Sequence, residues 1–360
     1  MRATDPYPVV RMAGIRKEYA VGRWPRRARL TAVDGVDLDL RAGRTTALVG
    51  ESGCGKSTLA RCLTGLLPLT AGSVHLDGLR ISGSSAADMK RAYRDVQMVF
   101  QDPHASLNPR RTVRATLEEP LRLQLGMPAD ERRRRVQELV EQVQLLPEHL
   151  DRRPHELSGG QRQRVGIARA PAVQPKVVVL DEPTSSLDVS VRGQIIELLE
   201  RLQSELGLAY LFITHDLAVV RRLADDVAVM YLGQVVEHGS TADVFGAPAH
   251  PYTRALLSAA PVAEWGVRRD RIMLRGEIPS PIDLGPTCRL VGRCPLETAR
   301  CGDLVPPLMP VHSSTPPGPP PVAHRVACIV TAADGASAVD GSSTSDPIAA
   351  RAAPAEGERP

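Results

Sequence analysis

The chain has 360 residues, and since domains usually span about 100 to 200 residues, we expect two domains or one large domain with an appendix. Hydrophobic residues make up 42% and charged residues 24%, which excludes collagen, coiled coils and wholesale disorder. The net charge of +4 gives no electrostatic case for a nucleic-acid partner. No apolar stretch approaches the ~18 residues that span a bilayer and the first residues lack a signal-peptide core, so we expect the chain to stay in the cytoplasm.

The first half of the chain predicts a strand–loop–helix order. Residues 31–49 contain two strand patterns, and the second runs directly into a glycine-rich loop. A helical pattern follows from Lys56, and short strands are predicted at 73–76 and 96–100. Apolar residues then recur at steps of three and four between about 111 and 170, which predicts helices.

The second half predicts a parallel sheet. Two short apolar runs at 177–180 and 209–213 lack alternation, as expected of strands buried on both faces. An amphipathic helix between them completes a right-handed βαβ unit. A hairpin is predicted around Gly233, and proline and cysteine become frequent after about 240.

The strongest motif is the sequence GESGCGKS at residues 50–57. It fits the phosphate-loop pattern G-x-x-x-x-G-K-[ST] and lies between a predicted strand and a predicted helix. Its glycines let backbone N–H groups turn toward phosphate oxygens, its lysine reaches the β and γ phosphates, and its serine offers a hydroxyl to Mg²⁺. The predicted ATP-binding residues here are Gly50, Ser52, Gly53, Cys54, Gly55, Lys56, Ser57 and Thr58.

Two adjacent carboxylates end the apolar run 177–180. A parallel sheet would place them beside the phosphate loop, where Asp181 can hold Mg²⁺ and Glu182 can polarise an attacking water. The alternative is that both acids cap the following turn. The nearby phosphate loop favours the catalytic interpretation.

A second phosphate-binding pattern, Leu-Ser-Gly-Gly-Gln, opens a predicted helix at residues 157–161. With it the chain resembles the ATP-binding subunit of an ABC transporter, whose signature this pentapeptide matches at every position. The resemblance implies an α/β P-loop NTPase fold with a helical subdomain insert. It also implies that Ser158, Gly159, Gly160 and Gln161 complete the ATP site of a second, homologous or identical ATPase subunit.

The same resemblance implies roles for four more residues. Tyr19 lies where an aromatic residue stacks on adenine, and Gln101 matches the glutamine that touches Mg²⁺ and water. His215 matches the histidine that contacts the γ-phosphate, although an isolated histidine after a strand is more often structural. Asp188 matches the loop that crosses the dimer interface. The catalytic set is therefore Glu182, His215 and Gln101, and Mg²⁺ is expected at Ser57, Gln101 and Asp181.

Two further stretches, at 97–110 and 250–257, resemble the oligopeptide and dipeptide importers, a branch that nickel and glutathione importers share. The resemblance implies two integral membrane permeases as partners, an extracytoplasmic peptide-binding protein acting indirectly, and a peripheral position on the cytoplasmic face of the membrane. We expect an ABC ATP-binding domain at 1–240 with its helical subdomain at about 91–170, a C-terminal extension at 241–330 and a disordered tail at 331–360. Pro171 departs from the family pattern and is expected to end the signature helix early.

Four cysteines, Cys288, Cys294, Cys301 and Cys328, fall in the proline-rich C-terminal segment. In a cytoplasmic chain they suit a tetrahedral Zn²⁺ or a [4Fe–4S] cluster better than disulfides, and spacing alone does not choose. The resemblance to peptide importers favours the [4Fe–4S] cluster, with Zn²⁺ or free thiols as alternatives.

Two other classes of protein compete with the transporter interpretation. A soluble ATPase of the same superfamily that acts on DNA or ribosomes usually carries two cassettes or a long coiled coil, and this chain has one cassette and no sustained heptads. An iron–sulfur redox protein would not need the complete set of ATPase motifs. We therefore expect an ATPase that powers peptide uptake, with no nucleic-acid partner.

Overall fold

The structure is a computed structural model, and the residues that it describes are 7–22, 27–83, 85–102, 106–260, 271–311 and 322–332. The predicted disordered tail lies outside the described residues except for 331 and 332. Within these ranges the strands are β1 Val10–Val21, β2 Ala28–Leu40, β3 Thr45–Val49, β4 Ala71–Leu76, β5 Leu79–Arg80, β6 Val96–Val99, β7 Val177–Asp181, β8 Ala209–Ile213, β9 Asp226–Tyr231, β10 Gln234–Ser240, β11 Met309–Pro310 and β12 Arg325–Val326.

The described ranges also contain α-helices between and after these strands. They are α1 Lys56–Leu63, α2 Ala86–Asp95, α3 Val113–Leu125, α4 Ala129–Gln142, α5 Gly159–Arg169, α6 Val189–Leu206, α7 Leu217–Leu223, α8 Thr241–Gly246 and α9 Pro251–Ser258. Short 3₁₀ helices occur at Pro147–Asp151, Pro154–Glu156, Pro171–Val173 and Ala299–Gly302.

The larger sheet has eight strands in the order β11-β12-β10-β9-β3-β8-β7-β6. Its central strands, β6, β7, β8, β3 and β9, run parallel to one another. Strands β3, β7 and β8 are buried at every position, which explains why their sequences are apolar without alternation. The predicted parallel sheet and the terminal hairpin β9–β10 are confirmed.

The smaller sheet has four antiparallel strands in the order β2-β1-β4-β5. The sequence predicted β2 and β4, but it gave no prediction for β1, whose residues alternate irregularly between buried and exposed. Register shifts interrupt the pairing of β1 with β2 at three places. Those irregularities break the simple alternation from which a strand is recognised in a sequence.

A helical region follows β6. Helices α3, α4 and α5 pack together around a core that includes Leu117, Leu139 and Val165. Strand β6 lies inside the predicted insert 91–170, but it pairs with β7 and is therefore part of the large sheet. The helices that pack together begin after it, at Val113. The division of the chain into domains stays a prediction.

Helix α5 ends at Arg169, and Pro171 then begins a 3₁₀ turn of three residues. The expectation that this proline ends the signature helix early is confirmed. A proline cannot donate the next helical hydrogen bond, and its ring clashes with the carbonyl four residues earlier.

The C-terminal extension is joined to the sheet. Strand β12 pairs with β10 through Glu237 and His238, and β11 adds to the outer edge. Leu290, which is 1% exposed, packs with Tyr231 and Tyr252 in one apolar cluster. The extension is thus stabilised by the large sheet, which compensates for its shortage of large apolar residues.

Candidate active site

The parallel strands place the predicted catalytic residues at one edge of the large sheet. The glycine-rich loop follows β3, Asp181 ends β7, His215 lies two residues after β8 and Gln101 two residues after β6. Since β3, β6, β7 and β8 are parallel neighbours, their carboxyl ends lie side by side. Ligands of open α/β sheets bind at this edge.

The phosphate loop needs two of its glycines for steric reasons. A Cβ on Gly50 would lie 2.1 Å from the carbonyl oxygen of Met230, and one on Gly55 would lie 2.1 Å from that of Ala32. Gly55 also has φ of +109°, a conformation that other residues rarely adopt. The loop is therefore pressed against β2 and β9, and helix α1 starts directly after it.

The ammonium group of Lys56 lies under the loop. The residue is 6% exposed, and its Nζ donates to the carbonyl oxygens of Gly50 and Glu51, both at 2.8 Å. The Sγ of Cys54 lies 3.7 Å from the same nitrogen, and burial is the main cause that raises the pKa of that thiol. Among the described residues no carboxylate forms an ion pair with this buried cation, which is therefore suited to an anionic ligand.

Ser57 and Asp181 meet at the start of α1. The Oγ of Ser57 donates to Oδ1 of Asp181 at 3.0 Å. Burial raises the pKa of Asp181, and the hydrogen bond from Ser57 opposes that shift. A serine hydroxyl beside a carboxylate supplies the hard oxygen ligands that Mg²⁺ prefers, so these two residues fit the ion.

The carboxylate of Glu182 contacts the two other predicted catalytic residues, Gln101 and His215. Its Oε2 accepts from Nε2 of Gln101 at 2.9 Å, and its Oε1 lies 3.3 Å from Nδ1 of His215. The backbone of Glu182 has φ of +46°, a strained conformation for a residue with a side chain, and its N–H donates to the carbonyl of Ile213 at 2.9 Å. Gln101, Glu182 and His215 thus converge although 114 positions of the sequence, from 101 to 215, separate the first from the last.

These side chains border a cavity of about 820 Å³. Tyr19 lies at one wall, with the Nζ of Lys17 4.9 Å from the centre of its ring. The phosphate loop, Gln101, Glu182 and His215 form other walls. The volume lies in the range of sites that bury a ligand of drug size, which includes a nucleotide.

Sequence reasoning missed several residues of the same cavity. Pro281, Leu232 and Ala32 line it, and Pro281 arrives from the C-terminal extension. The carbonyl of Pro281 accepts from the backbone N–H of Thr31 at 3.0 Å, which holds the extension against the edge of β2. Nothing in the local sequence around Pro281 signals this contact.

The signature residues lie elsewhere. Ser158 caps helix α5, where its Oγ accepts from the N–H of Gln161 at 3.2 Å and its own N–H donates to Oε1 of Gln161 at 2.8 Å. Asp188 is the N-terminal cap of α6 and is exposed. Among the described residues that line the cavity, none comes from the signature or from Asp188. Their role in a partner's site therefore stays a prediction.

The four C-terminal cysteines come together at one small cavity of about 10 Å³, which His250 also lines. The backbone N–H of Cys288 donates to the carbonyl of Cys301 at 3.0 Å, and all four thiols are free. Burial raises the pKa of Cys294 to about 11 and also raises that of Cys288, which disfavours the thiolates.

In the described part of the chain the four thiol groups are not arranged as a ligand set. Within the ranges that the structure describes, no group of three or more histidine, cysteine, aspartate or glutamate side chains is arranged to hold a metal ion. The expected [4Fe–4S] cluster is therefore not supported by the positions of these side chains, and no step of the chemistry below depends on it.

Comparisons with known proteins agree with this site. Residues 33–185 match the family described as ABC transporter, and residues 236–301 match the oligopeptide/dipeptide transporter C-terminal region. The di/tripeptide transport ATP-binding protein DppF of Pseudomonas aeruginosa is 48% identical over 81% of this chain and 90% of its own length. The chain belongs to the ABC transporter ATPases.

Other relatives extend the same result. The dipeptide transport ATP-binding protein DppF of Escherichia coli is 45% identical over 85% of this chain and 92% of its own length. The ATP-binding cassette MJ0796, solved as a dimer in a post-hydrolysis state with ADP and Pi, matches with a TM-score of 0.59 and 30% identity. That match covers 64% of this chain and 98% of the cassette.

Membership of this family makes the chain an ATP-hydrolysing subunit of a transporter, and it confirms the expected P-loop NTPase fold. No described helix has the length and apolar character needed to cross a membrane. As a member of the family the chain is a peripheral subunit that works with membrane components.

Proposed function

We propose that this ABC ATPase powers the import of dipeptides or oligopeptides across the cytoplasmic membrane. The observation that carries the proposal is the C-terminal match at residues 236–301 to the oligopeptide/dipeptide transporter region. Relatives whose names specify dipeptide or di/tripeptide transport, and which match along most of the chain, support it. Nickel or glutathione remains the alternative cargo of this branch.

The proposed hydrolysis assigns one task to each group of the site. Lys56 and the N–H groups of the loop bind the phosphates of ATP, and Tyr19 stacks on adenine. Bound at Ser57, Asp181 and Gln101, Mg²⁺ would neutralise developing charge on the phosphates. Glu182 accepts a proton from the water that attacks the γ-phosphate, and the products are ADP and phosphate.

Gln101 and His215 are proposed to orient the catalytic carboxylate of Glu182. In the structure both contact the carboxylate of Glu182, at 2.9 and 3.3 Å. Such contacts orient the carboxylate toward a water, and His215 is proposed to turn toward the γ-phosphate when ATP is bound. Positioning of this kind supplies much of the catalysis in phosphoryl transfer.

The site of one chain is proposed to be completed by the signature of another. Ser158, Gly159, Gly160 and Gln161 form a helix N-terminus, and α5 directs its partial positive charge to that end. Because these residues do not line the cavity of their own chain, a head-to-tail dimer with a second ATPase subunit would bring them to the γ-phosphate. Two permeases and an extracytoplasmic binding protein complete the proposed importer.

Transport itself is the test of this function. The chain should be co-expressed with two candidate permeases and a second ATPase subunit, and the complex reconstituted in vesicles that contain MgATP. We expect the binding protein loaded with a dipeptide to stimulate both ATP hydrolysis and uptake of the labelled peptide. Stimulation by nickel or glutathione with no effect of peptides would contradict the peptide assignment.

We propose that a [4Fe–4S] cluster bound by the four cysteines cross-links and stabilises the C-terminal extension. Its support is that the four residues, which the sequence separates by up to 40 positions (288 to 328), line one cavity. Thiolates are the usual ligands of such clusters. Binding would therefore require the thiols to lose their protons and the sulfur atoms to move toward a common centre. No redox turnover is proposed.

Anaerobic purification with iron, sulfide and zinc analysis checks the cluster. We expect about four iron atoms per chain and a visible absorption band, both lost in Cys294→Ser. Cys62→Ser is the matched control, because Cys62 is a buried thiol of α1 outside the group and should leave the iron content unchanged. A colourless wild-type protein with zinc, or with no metal, would overturn the cluster.

A further inference from the structure

The C-terminal extension reaches the phosphate loop through a tyrosine. Tyr252 lies on α9, is 1% exposed, and its hydroxyl oxygen accepts a hydrogen bond from the backbone N–H of Glu51 at 2.9 Å. Glu51 is the residue directly after Gly50 in the loop. This bond satisfies a partly buried backbone N–H and restrains the plane of the peptide group that enters the loop.

The other backbone polar group of Glu51, its carbonyl, contacts the lysine of the phosphate loop. The carbonyl oxygen of Glu51 accepts from Nζ of Lys56 at 2.8 Å. Tyr252 and Lys56 therefore hold the same residue from its two sides. Any rotation of Glu51 that breaks the bond to Tyr252 also moves an acceptor of the lysine.

Arg293, which directly precedes Cys294 in the C-terminal extension, contacts both Tyr231 and Glu51 and so supports the contact between Tyr252 and Glu51. Arg293 is 8% exposed, and its Nη1 donates to the hydroxyl of Tyr231 at 2.9 Å. The ring of Tyr231 packs on that of Tyr252 with centroids 4.6 Å apart. The guanidinium also lies 4.0 Å from Oε2 of Glu51, a buried carboxylate oxygen with no hydrogen-bond partner among the described residues.

We propose that Tyr252 and Arg293 are positioning residues for ATP binding. They hold Glu51 so that the phosphate loop and Lys56 are arranged before the nucleotide arrives. A loop ordered in advance loses less conformational freedom when it binds, and the ligand consequently binds more tightly. The inference rests on the proposed assignment of residues 50–58 as the phosphate site, and it gives the C-terminal extension a task within ATP binding.

Tyr252→Phe tests the first contact, since it removes one hydroxyl and keeps the ring. We expect the dissociation constant of MgATP, measured calorimetrically on the full chain, to rise by about three- to tenfold, the factor for one buried hydrogen bond. The KM for ATP should rise by the same factor, whereas kcat should fall by less than twofold. A purely structural tyrosine would lower the melting temperature without this division between KM and kcat.

Tyr210→Phe is the matched control. Tyr210 is equally buried, and its hydroxyl donates to the carbonyl of Leu199 at 3.1 Å in the helical core, away from the loop. We expect it to change the melting temperature by a similar amount and the MgATP affinity by less than twofold. Equal losses of affinity in both variants would overturn the inference, and so would wild-type affinity in Tyr252→Phe.

Arg293→Met and Arg293→Lys test the second contact. The methionine loses the charge and the hydrogen bond to Tyr231, and we expect affinity for MgATP to fall by about three- to tenfold. The lysine keeps a charge near Glu51 and should recover part of the loss. Wild-type affinity in Arg293→Met would remove Arg293 from the proposal.

Lys56→Ala distinguishes this inference from the phosphate-site assignment. If Lys56→Ala leaves the affinity for MgATP unchanged, the assignment of the loop is wrong. If Lys56→Ala abolishes binding while Tyr252→Phe and Arg293→Met bind like the wild type, the site is correct and only the positioning role fails.

Discussion

Glu182→Gln is expected to lower ATP turnover by ~10² or more, while MgATP still binds. The amide keeps the shape of the side chain and can still bond to Gln101, but it cannot accept a proton from water. Because hydrolysis stops after ATP has bound, a dimer that encloses nucleotide should accumulate. Turnover by phosphate release and dimer formation by size-exclusion chromatography with MgATP measure the two effects.

Glu200→Gln is a suitable control for this variant. Glu200 is a partly exposed glutamate of α6 that pairs with Arg222, so the same change is made far from the cavity. Its turnover should match that of the wild type, since exposed ion pairs contribute little to stability. Wild-type hydrolysis by Glu182→Gln would show that another group is the base.

Lys56→Ala is expected to weaken MgATP binding by at least ~10-fold and to remove measurable hydrolysis with it. The lysine supplies a buried point charge to the phosphates, and alanine supplies none. The change also leaves the carbonyl groups of Gly50 and Glu51 without their donor. Calorimetry or a fluorescent ATP analogue on the full chain measures the dissociation constant.

Lys176→Ala is the matched control for the loss of a lysine. Lys176 precedes β7, is 44% exposed at its side chain and pairs with Asp77 on the surface. We expect this variant to bind MgATP as the wild type does. Unchanged affinity in Lys56→Ala would contradict the assignment of residues 50–58 as the phosphate site.

The expected contrast between the two catalytic-site variants follows from where the two charges lie. Lys56 lies beneath the phosphate loop, where its polar contacts with the described residues are two carbonyl oxygens and the Sγ of Cys54, so its charge can act on a ligand. Glu182 lies across the cavity among Gln101 and His215. One change is therefore expected to affect binding, and the other the chemical step.

The amino-acid sequence was sufficient for the parallel sheet and for the residues at its edge. Strands β3, β7 and β8 are buried on both faces, so each is a short apolar run. The polar residues that follow such runs stand at the carboxyl ends of the strands. That rule predicted that the phosphate loop, Asp181 and Glu182 come together, because each lies within a few residues of its strand.

The cysteine segment shows the limit of such reasoning. The spacing of the four cysteines predicted one group, and all four do line one cavity. Spacing carries no information on where the sulfur atoms point or on the burial that raises the pKa of Cys294. Those properties depend on how the residues around the cavity, among them His250, Pro251 and Leu290, enclose the four cysteines.

By itself, the sequence determined the fold class, the family and the motifs of the candidate ATP site, because each can be recognised from residues that are close together along the chain. Only the tertiary structure decided that the C-terminal extension lines the same cavity, through Pro281. The bond from Glu51 to Tyr252 spans 201 positions, and the ion pair of Arg289 with Asp34 spans 255. Contacts between such distant residues leave no local pattern of burial or spacing, and they exist only after the sheet has brought both ends of the chain together.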